Sequence, residues 1–217
     1  MYDFHIHSIF SDGGLIPAEI ARRYLVKGFE AIAITDHCDA SNIGQVILSI
    51  RKFISSLPFD YPMKVFSGVE LTHIQPSQIN SLVREARELG ADIVVVHGES
   101  IVEPVAPGTN MAAIEAGADI LAHPGFLTEE EASLAKEKGV LLEISTRAGH
   151  SYANGWVINI AQKTGAGLIV NNDAHGPSDI LDYDFMVKIA EAGGLENAER
   201  VLKENAQKLL RKISSAS

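Results

Sequence analysis

Hydrophobic positions along the chain fall into two alternating patterns. Short runs rich in Val and Ile predict strands at Tyr2–His7, Ala31–Asp36, Val65–Leu71, Asp92–His97, Asp119–Ala122, Val140–Ser145 and Leu168–Asn172. The run Ile93–Val96 is apolar at every position, as a strand buried on both faces must be. Between these runs the apolar residues recur at helical spacing. Ser77–Leu89 carries them at 79, 82, 83, 86 and 89, with Gly90 just beyond as a stop. Pro17–Lys27 opens on a proline, which the first turn tolerates, and ends before Gly28. Thr128–Lys138 opens Thr-Glu-Glu-Glu, a cap followed by acids at the positive end of the helix dipole. Leu195–Ile213 is a last amphipathic helix, and residues 214–217 are expected to fray. Strands alternating with helices imply a parallel sheet, either a closed barrel or an open doubly wound one. No linker or fixed-length repeat interrupts the pattern, so one domain is expected over residues 1–217.

Composition narrows this picture. A chain of 217 residues buries roughly 70% of its unfolded surface and needs no staples. Cys38 is the single cysteine, so no internal disulfide forms and a reducing, cytoplasmic location is expected. No apolar run approaches the ~20 residues of a membrane span, and the N-terminus lacks a basic-then-apolar leader. No membrane partner is therefore expected. The net charge is −10 with no basic block, which argues against nucleic acid as the main partner. A small anionic substrate is compatible with that charge, because bound cations reverse the local sign.

The polar residues at the strand ends carry the chemistry. Of the eight histidines, six lie at or just past a predicted strand end: His5, His7, His37, His97, His123 and His175. Asp36, Glu70 and Asp173 fall at equivalent positions. In a parallel barrel all these ends open on one face. His5 and His7, two apart, point to the same side of a strand. Asp173 and His175 repeat the spacing on the last strand, the neighbour of the first in a closed barrel. Singly, each is ordinary: a histidine after a strand is a common loop residue, Glu70 a common ion-pair member, and Asp12 in Ser-Asp-Gly-Gly a common turn residue. Together they form a polar cluster that is hard to satisfy without a cation. Imidazole and carboxylate are the donors that suit Zn, Mn or Fe.

Six motifs in order carry a family likeness: Asp3–Gly13 (DFHIHSIFSDG), Ile34–His37 (ITDH), Gly68–Glu70 (GVE), Val96–Gly98 (VHG), Ala122–Pro124 (AHP) and Asn172–His175 (NDAH). With them the chain resembles the PHP family, the polymerase and histidinol phosphatase domain. The resemblance implies an α/β fold, a distorted (β/α)7 TIM-like barrel, and three divalent metal ions. By position, His5, His7, Glu70 and Asp173 would bind the first ion. Glu70 would bridge to the second, held also by His97 and His123, and Asp12, His37 and His175 would bind the third. Asp36 would stand behind a ligand and orient its imidazole. The implied reaction is hydrolysis of a phosphate monoester by metal-bound hydroxide, in line and without a covalent enzyme intermediate.

Residues after the sixth strand should rim the same face. Arg147 is expected as a phosphate clamp, the alternative being a solvated surface arginine. His150 is expected to donate to phosphate or to protonate the leaving group. Glu143 is expected either to bind a substrate amine or to orient a ligand, and His73 either to touch substrate or to be a plain loop residue. The loop 98–109 has the length of a lid, and its Glu99 and Glu103 would suit a cationic substrate. The leading expectation is a metal-dependent phosphatase of a small-molecule phosphate monoester. Histidinol phosphate, from histidine biosynthesis, comes first; nucleotides and other phosphorylated metabolites are alternatives. An amidohydrolase-type hydrolase would place a modified lysine where His97 stands. A non-catalytic RNA-binding barrel, like the archaeal ribonuclease P subunit of this fold, should be basic and should have lost the ligands. This chain is acidic and keeps them.

Overall fold

In a computed structural model, which describes residues 1–216, eight parallel strands run through the molecule. They are β1 (Tyr2–Asp3), β2 (Ala31–Ile34), β3 (His37–Cys38), β4 (Lys64–Leu71), β5 (Ile93–His97), β6 (Ile120–Ala122), β7 (Leu141–Ser145) and β8 (Leu168–Asn171). The helices are α1 (Pro17–Val26), α2 (Ile43–Ser55), α3 (Pro76–Glu88), α4 (Thr109–Glu115), α5 (Glu129–Lys138), α6 (Asn154–Thr164), α7 (Tyr183–Ala192) and α8 (Ala198–Ala216). Strand order is β1-β2-β4-β5-β6-β7-β8, and β3 pairs with β4 beyond the end of β2. β2 and β3 thus share one stave, interrupted at Thr35 and Asp36, and seven staves make the barrel expected for the family.

The barrel interior holds Tyr2, Phe4, Ala31, Ala33, Phe66, Ile93, Val95, Ile120 and Ile169. The alternate residues Ile32, Ile34, Val94, Val96, Leu121, Leu142 and Val170 face outward into the larger core shared with the helices. Both faces of each strand are therefore dry, which is why the runs read as unbroken apolar stretches. Residues Ala206, Leu209 and Ile213 of α8 join the interior cluster and close the end of the barrel where the strands begin. The opposite end, where the strands finish, stays open for polar side chains.

The seam between first and last strands departs from the expected Tyr2–His7 strand. Tyr2 and Phe4 lie in the interior cluster, whereas Ile6 packs with the outer core. The in–out alternation therefore shifts by one residue across Phe4–His5, and this turns His5 and His7 inward, since a one-residue slip exchanges faces. Side chains replace the broken ladder. Phe4 N–H donates to Asn171 Oδ1 (2.9 Å) and Ile6 N–H to Thr35 Oγ1 (3.1 Å). Tyr24 Oη donates to Asp3 Oδ2 (2.6 Å), and Asn172 N–H reaches the same carboxylate at 3.3 Å. Burial pushes the Asp3 carboxyl up to about 7. Beyond these contacts one bridge, Ile6 to Ala174, closes the barrel.

Other boundaries also differ from expectation. The last helix starts at Ala198 rather than Leu195, because Asn197 adopts a left-handed backbone (φ 52°). It continues through Ala216, so residues 214–216 are helical rather than frayed; the remainder of the expected tail lies outside the described residues. Thr128 does form the expected cap, accepting from Glu131 N–H in a reciprocal capping box. Tyr24→Phe removes a donor from a buried carboxylate, a loss of roughly 1–3 kcal/mol. Urea denaturation is expected to show a lower midpoint with an unchanged slope.

Candidate metal centre

The open end of the barrel gathers residues far apart in sequence. The segment after β1 supplies His5 and His7, the turn that follows it Asp12, β3 His37, β4 Glu70 and β5 His97. His123 follows β6, His150 opens a short 3₁₀ turn after β7, and Asp173 and His175 follow β8. Glu70 is wholly buried at the centre. Its Oε2 lies 2.7 Å from His37 Nδ1, 3.3 Å from His5 Nε2 and 3.6 Å from His7 Nε2, and its Oε1 lies 3.6 Å from His123 Nε2. Asp173 Oδ1 is 3.2 Å from His7 Nε2 and 3.8 Å from His5 Nε2. Asp12 Oδ1 approaches His175 Nε2 at 3.2 Å and His37 Nε2 at 3.5 Å.

These donors fall into four overlapping groups, each with ligand atoms within 4.8 Å of one another: His5–His7–Glu70, His5–His123–Asp173, His7–Asp12–His37–His175 and His97–His123–His150. Several of the donors are buried without hydrogen-bond partners among the described residues: His5 Nε2, both ring nitrogens of His7, Glu70 Oε1 and His123 Nδ1. Each such atom costs roughly 1–3 kcal/mol. A coordinated cation would satisfy several at once, and imidazole with carboxylate is the right chemistry for divalent transition metals. The residues present therefore fit bound metal.

The electrostatics point the same way. Burial, joined by the charge of His37, drives His7 well below the usual imidazole range. Burial and then the neighbouring His123 push His150 down to about 3. Burial works against charge on His5 too, yet the Glu143 and Glu70 carboxylates outweigh it and hold His5 well above the ordinary value. Burial opposes charge on Glu70 in turn, but His5 and His37 keep it well below the ordinary carboxylate value. Strain gathers at the same edge: His123 (φ 28°), Asp173 (φ 51°) and His73 (φ 54°) all hold left-handed backbone without being glycine, at about 1–3 kcal/mol each.

A layer of polar side chains supports the donors. Glu143 Oε1 accepts from His5 Nδ1 and from Asn171 Nδ2, both at 2.8 Å, and its Oε2 accepts from His123 N–H at 3.1 Å. Of the two roles expected for Glu143, these contacts match the one that orients an imidazole, that of His5, and its side chain is fully buried. Asp36 contradicts its expected role. Among the described residues its side chain hydrogen-bonds no imidazole and instead accepts from Ser8 N–H, Ser8 Oγ and Ser11 Oγ, each at 2.7 Å. It pins the turn that carries Asp12. Gly13 completes that turn, because a Cβ there would sit 2.4 Å from His7 O. Two contacts escaped sequence reasoning: Thr72 Oγ1 lies 2.6 Å from His37 Nδ1, and Ser100 Oγ 2.7 Å from His150 Nδ1. For Thr72 a signal existed, since it stands two residues beyond Glu70, just past the end of β4, where extended backbone would turn it to the same side.

The rim is formed by Arg147 and the 98–109 loop. Arg147 Nη1 donates to His175 Nδ1 (2.8 Å) and lies 3.7 Å from Asp179 Oδ2. It borders a cavity of about 480 Å³ that Thr146, Asn172, Ser178, Asp179 and Leu181 also line. Glu103 folds back from the loop, its Oε2 lying 3.2 Å from His97 Nε2 and 3.3 Å from His73 Nε2. The bond to His97 holds the Glu103 carboxyl down to about 2. Glu99 points elsewhere than expected: its Oε1 accepts from Gly108 N–H and Asn110 N–H and staples the base of the loop.

A parallel barrel that gathers imidazoles and carboxylates at its strand ends has donor groups that could hold divalent metal ions. The PHP domain model matches residues 3–211, and the chain belongs to the PHP domain family, whose phosphoesterase fold it has. It is 46% identical over 217 residues to an uncharacterized protein of Methanocaldococcus jannaschii, covering 98% of this chain and 99% of that protein. It is 32% identical to ribonuclease P protein component 3 of Methanosarcina acetivorans, across 91% of this chain and 82% of that one. Its fold resembles histidinol phosphate phosphatase of Lactococcus lactis, solved with zinc, L-histidinol and phosphate. That match has a TM-score of 0.63 and 15% identity, over 90% of this chain and 94% of the other. Among the described residues no helix is long and apolar enough to cross a membrane.

If ions relieve the orphaned donors, removing them must lower stability. At ligand 100-fold above Kd the linkage is about 2.7 kcal/mol, and each kcal/mol shifts Tm by about 2–4 °C at this size. Thermal melts with and without chelator are expected to differ by roughly 5–10 °C.

Proposed function

We propose that this protein is a metal-dependent phosphatase acting on a small-molecule phosphate monoester, with three divalent ions of Zn, Mn or Fe as cofactors. The observation that carries this reading is the set of orphaned buried donors, His5, His7, Glu70 and His123, opening beside an arginine at the rim. Divalent ions held there would activate water and neutralise the phosphoryl oxygens. His5, His7, Glu70 and Asp173 form one ligand set; Glu70, His97 and His123 a second; Asp12, His37 and His175 a third.

Arg147 holds the phosphate. His175 can lend Nε2 to an ion only with its proton on Nδ1, where it donates to Asp173 O, 2.9 Å away. In that tautomer it no longer accepts from Arg147, and the guanidinium, which also donates to Asp173 O at 3.3 Å, can turn to meet phosphate with two parallel hydrogen bonds. Glu143 keeps His5 aimed, and Asp36 keeps the Asp12 turn in place. His73 and Glu103 at the mouth face the remainder of the substrate. Histidinol phosphate is the first candidate, because its amine and imidazole would complement the Glu103 carboxylate at the mouth; nucleotides and other phosphorylated metabolites follow. We place the protein in the cytoplasm as one domain, with no membrane or nucleic-acid partner.

The likeness to ribonuclease P protein component 3 supports a second reading, an RNA-associated barrel. The net charge of −10 opposes it, because RNA affinity rests on clustered cations.

The test is a hydrolysis screen over histidinol phosphate, nucleoside monophosphates and sugar phosphates, with Mn, Zn and Fe each supplied. Glu70→Ala and His7→Ala are expected to abolish turnover of an aryl phosphate while circular dichroism stays native. Arg147→Ala is expected to raise KM about 10–100-fold, since a charged hydrogen bond is worth ~1.5–3 kcal/mol. Metal-free wild-type protein that hydrolyses nothing and binds RNA tightly would refute the phosphatase reading.

A further inference from the structure

We propose that His150 is a metal ligand, binding through Nε2 the ion that His97 and His123 bind. This rests on the metal centre proposed above and adds to it a donor that the family motifs do not assign. His150 belongs to none of the six motifs, yet its ligand atom lies with those of His97 and His123 in one buried group within 4.8 Å.

The surroundings of the ring are those of a held ligand. A ligating histidine has its second ring nitrogen tied by a hydrogen bond, which sets tautomer and aim. His5 has this device in Glu143, and His97 Nδ1 lies 3.1 Å from Gly98 O. His150 has it in Ser100, a buried hydroxyl 2.7 Å from Nδ1. Nε2 is thereby left to face the cavity. There a carboxylate already spans the same two imidazoles: Glu103 Oε1 lies 3.4 Å from His150 Nε2, and Oε2 3.2 Å from His97 Nε2. Glu70 Oε1, an orphaned acceptor 3.6 Å from His123 Nε2, supplies a further donor. Three imidazoles with the Glu70 carboxylate are donor types that zinc accepts, and because zinc can expand to five-coordination a position for water would remain.

The rival role is proton donation to the leaving group, which needs the ring as imidazolium, with a proton on each nitrogen. A ligating Nε2 carries no proton, so the two roles exclude each other at that atom, and metal affinity separates them. The experiment takes full-length protein, measures metal content and chelator-competition affinity, and records the visible spectrum with Co²⁺. His150→Ala and His150→Gln are expected to weaken one of the bound ions and alter the Co²⁺ bands while the rest stay bound. Ser100→Ala, which leaves the imidazole in place, is expected to weaken the same ion by about 10–100-fold. Variants with wild-type metal affinity and Co²⁺ spectrum, but a reduced kcat and a displaced limb of the pH–rate profile, would overturn the assignment and leave the phosphatase reading intact. A wild-type protein that takes up no metal would overturn both.

Discussion

Everything at the open end of this barrel turns on Glu70. It is a carboxylate with no exposed surface, ringed by His5, His7, His37 and His123, and its Oε1 has no hydrogen-bond partner among the described residues, a costly state for a buried polar atom. The barrel makes such crowding unavoidable. Parallel strands end together, so every polar residue at a strand terminus competes for the same small volume. The chain adds to the pressure at the seam, where the shift across Phe4–His5 turns two more imidazoles inward.

That crowding is held in place by residues with no chemistry of their own. Glu143, Asp36, Thr72 and Ser100 each tie down a donor or the turn that carries one. His123 and Asp173 keep left-handed backbone that only a well-supported fold tolerates. Local stability is thus sacrificed at the site while the helices and outer core stabilise the remainder, as is common where function and folding compete.

A shared fold does not settle a shared activity. The likeness to ribonuclease P protein component 3 runs across most of this chain, while the fold-level likeness to histidinol phosphate phosphatase rests on 15% identity. The features that separate the readings are local: the buried donors without partners, the arginine at the rim, and the acidic charge.

The sequence by itself determined the alternation of elements, the parallel sheet and the strand-end positions of the histidines and carboxylates, because these depend on local periodicity. IVVV at 93–96, the Thr128 cap and the His-x-His at 5–7 read directly. The inward turn of His5 did not, since a strict strand through Tyr2 and Phe4 would send it outward. Nor did the partners behind the donors. Glu143 and His5 stand 138 residues apart, and Ser100 and His150 stand 50 apart. Asp36 looked like a partner for an imidazole and serves two serines instead. Which polar groups meet in a crowded interior is a question of distance in space, and only closure of the barrel sets those distances.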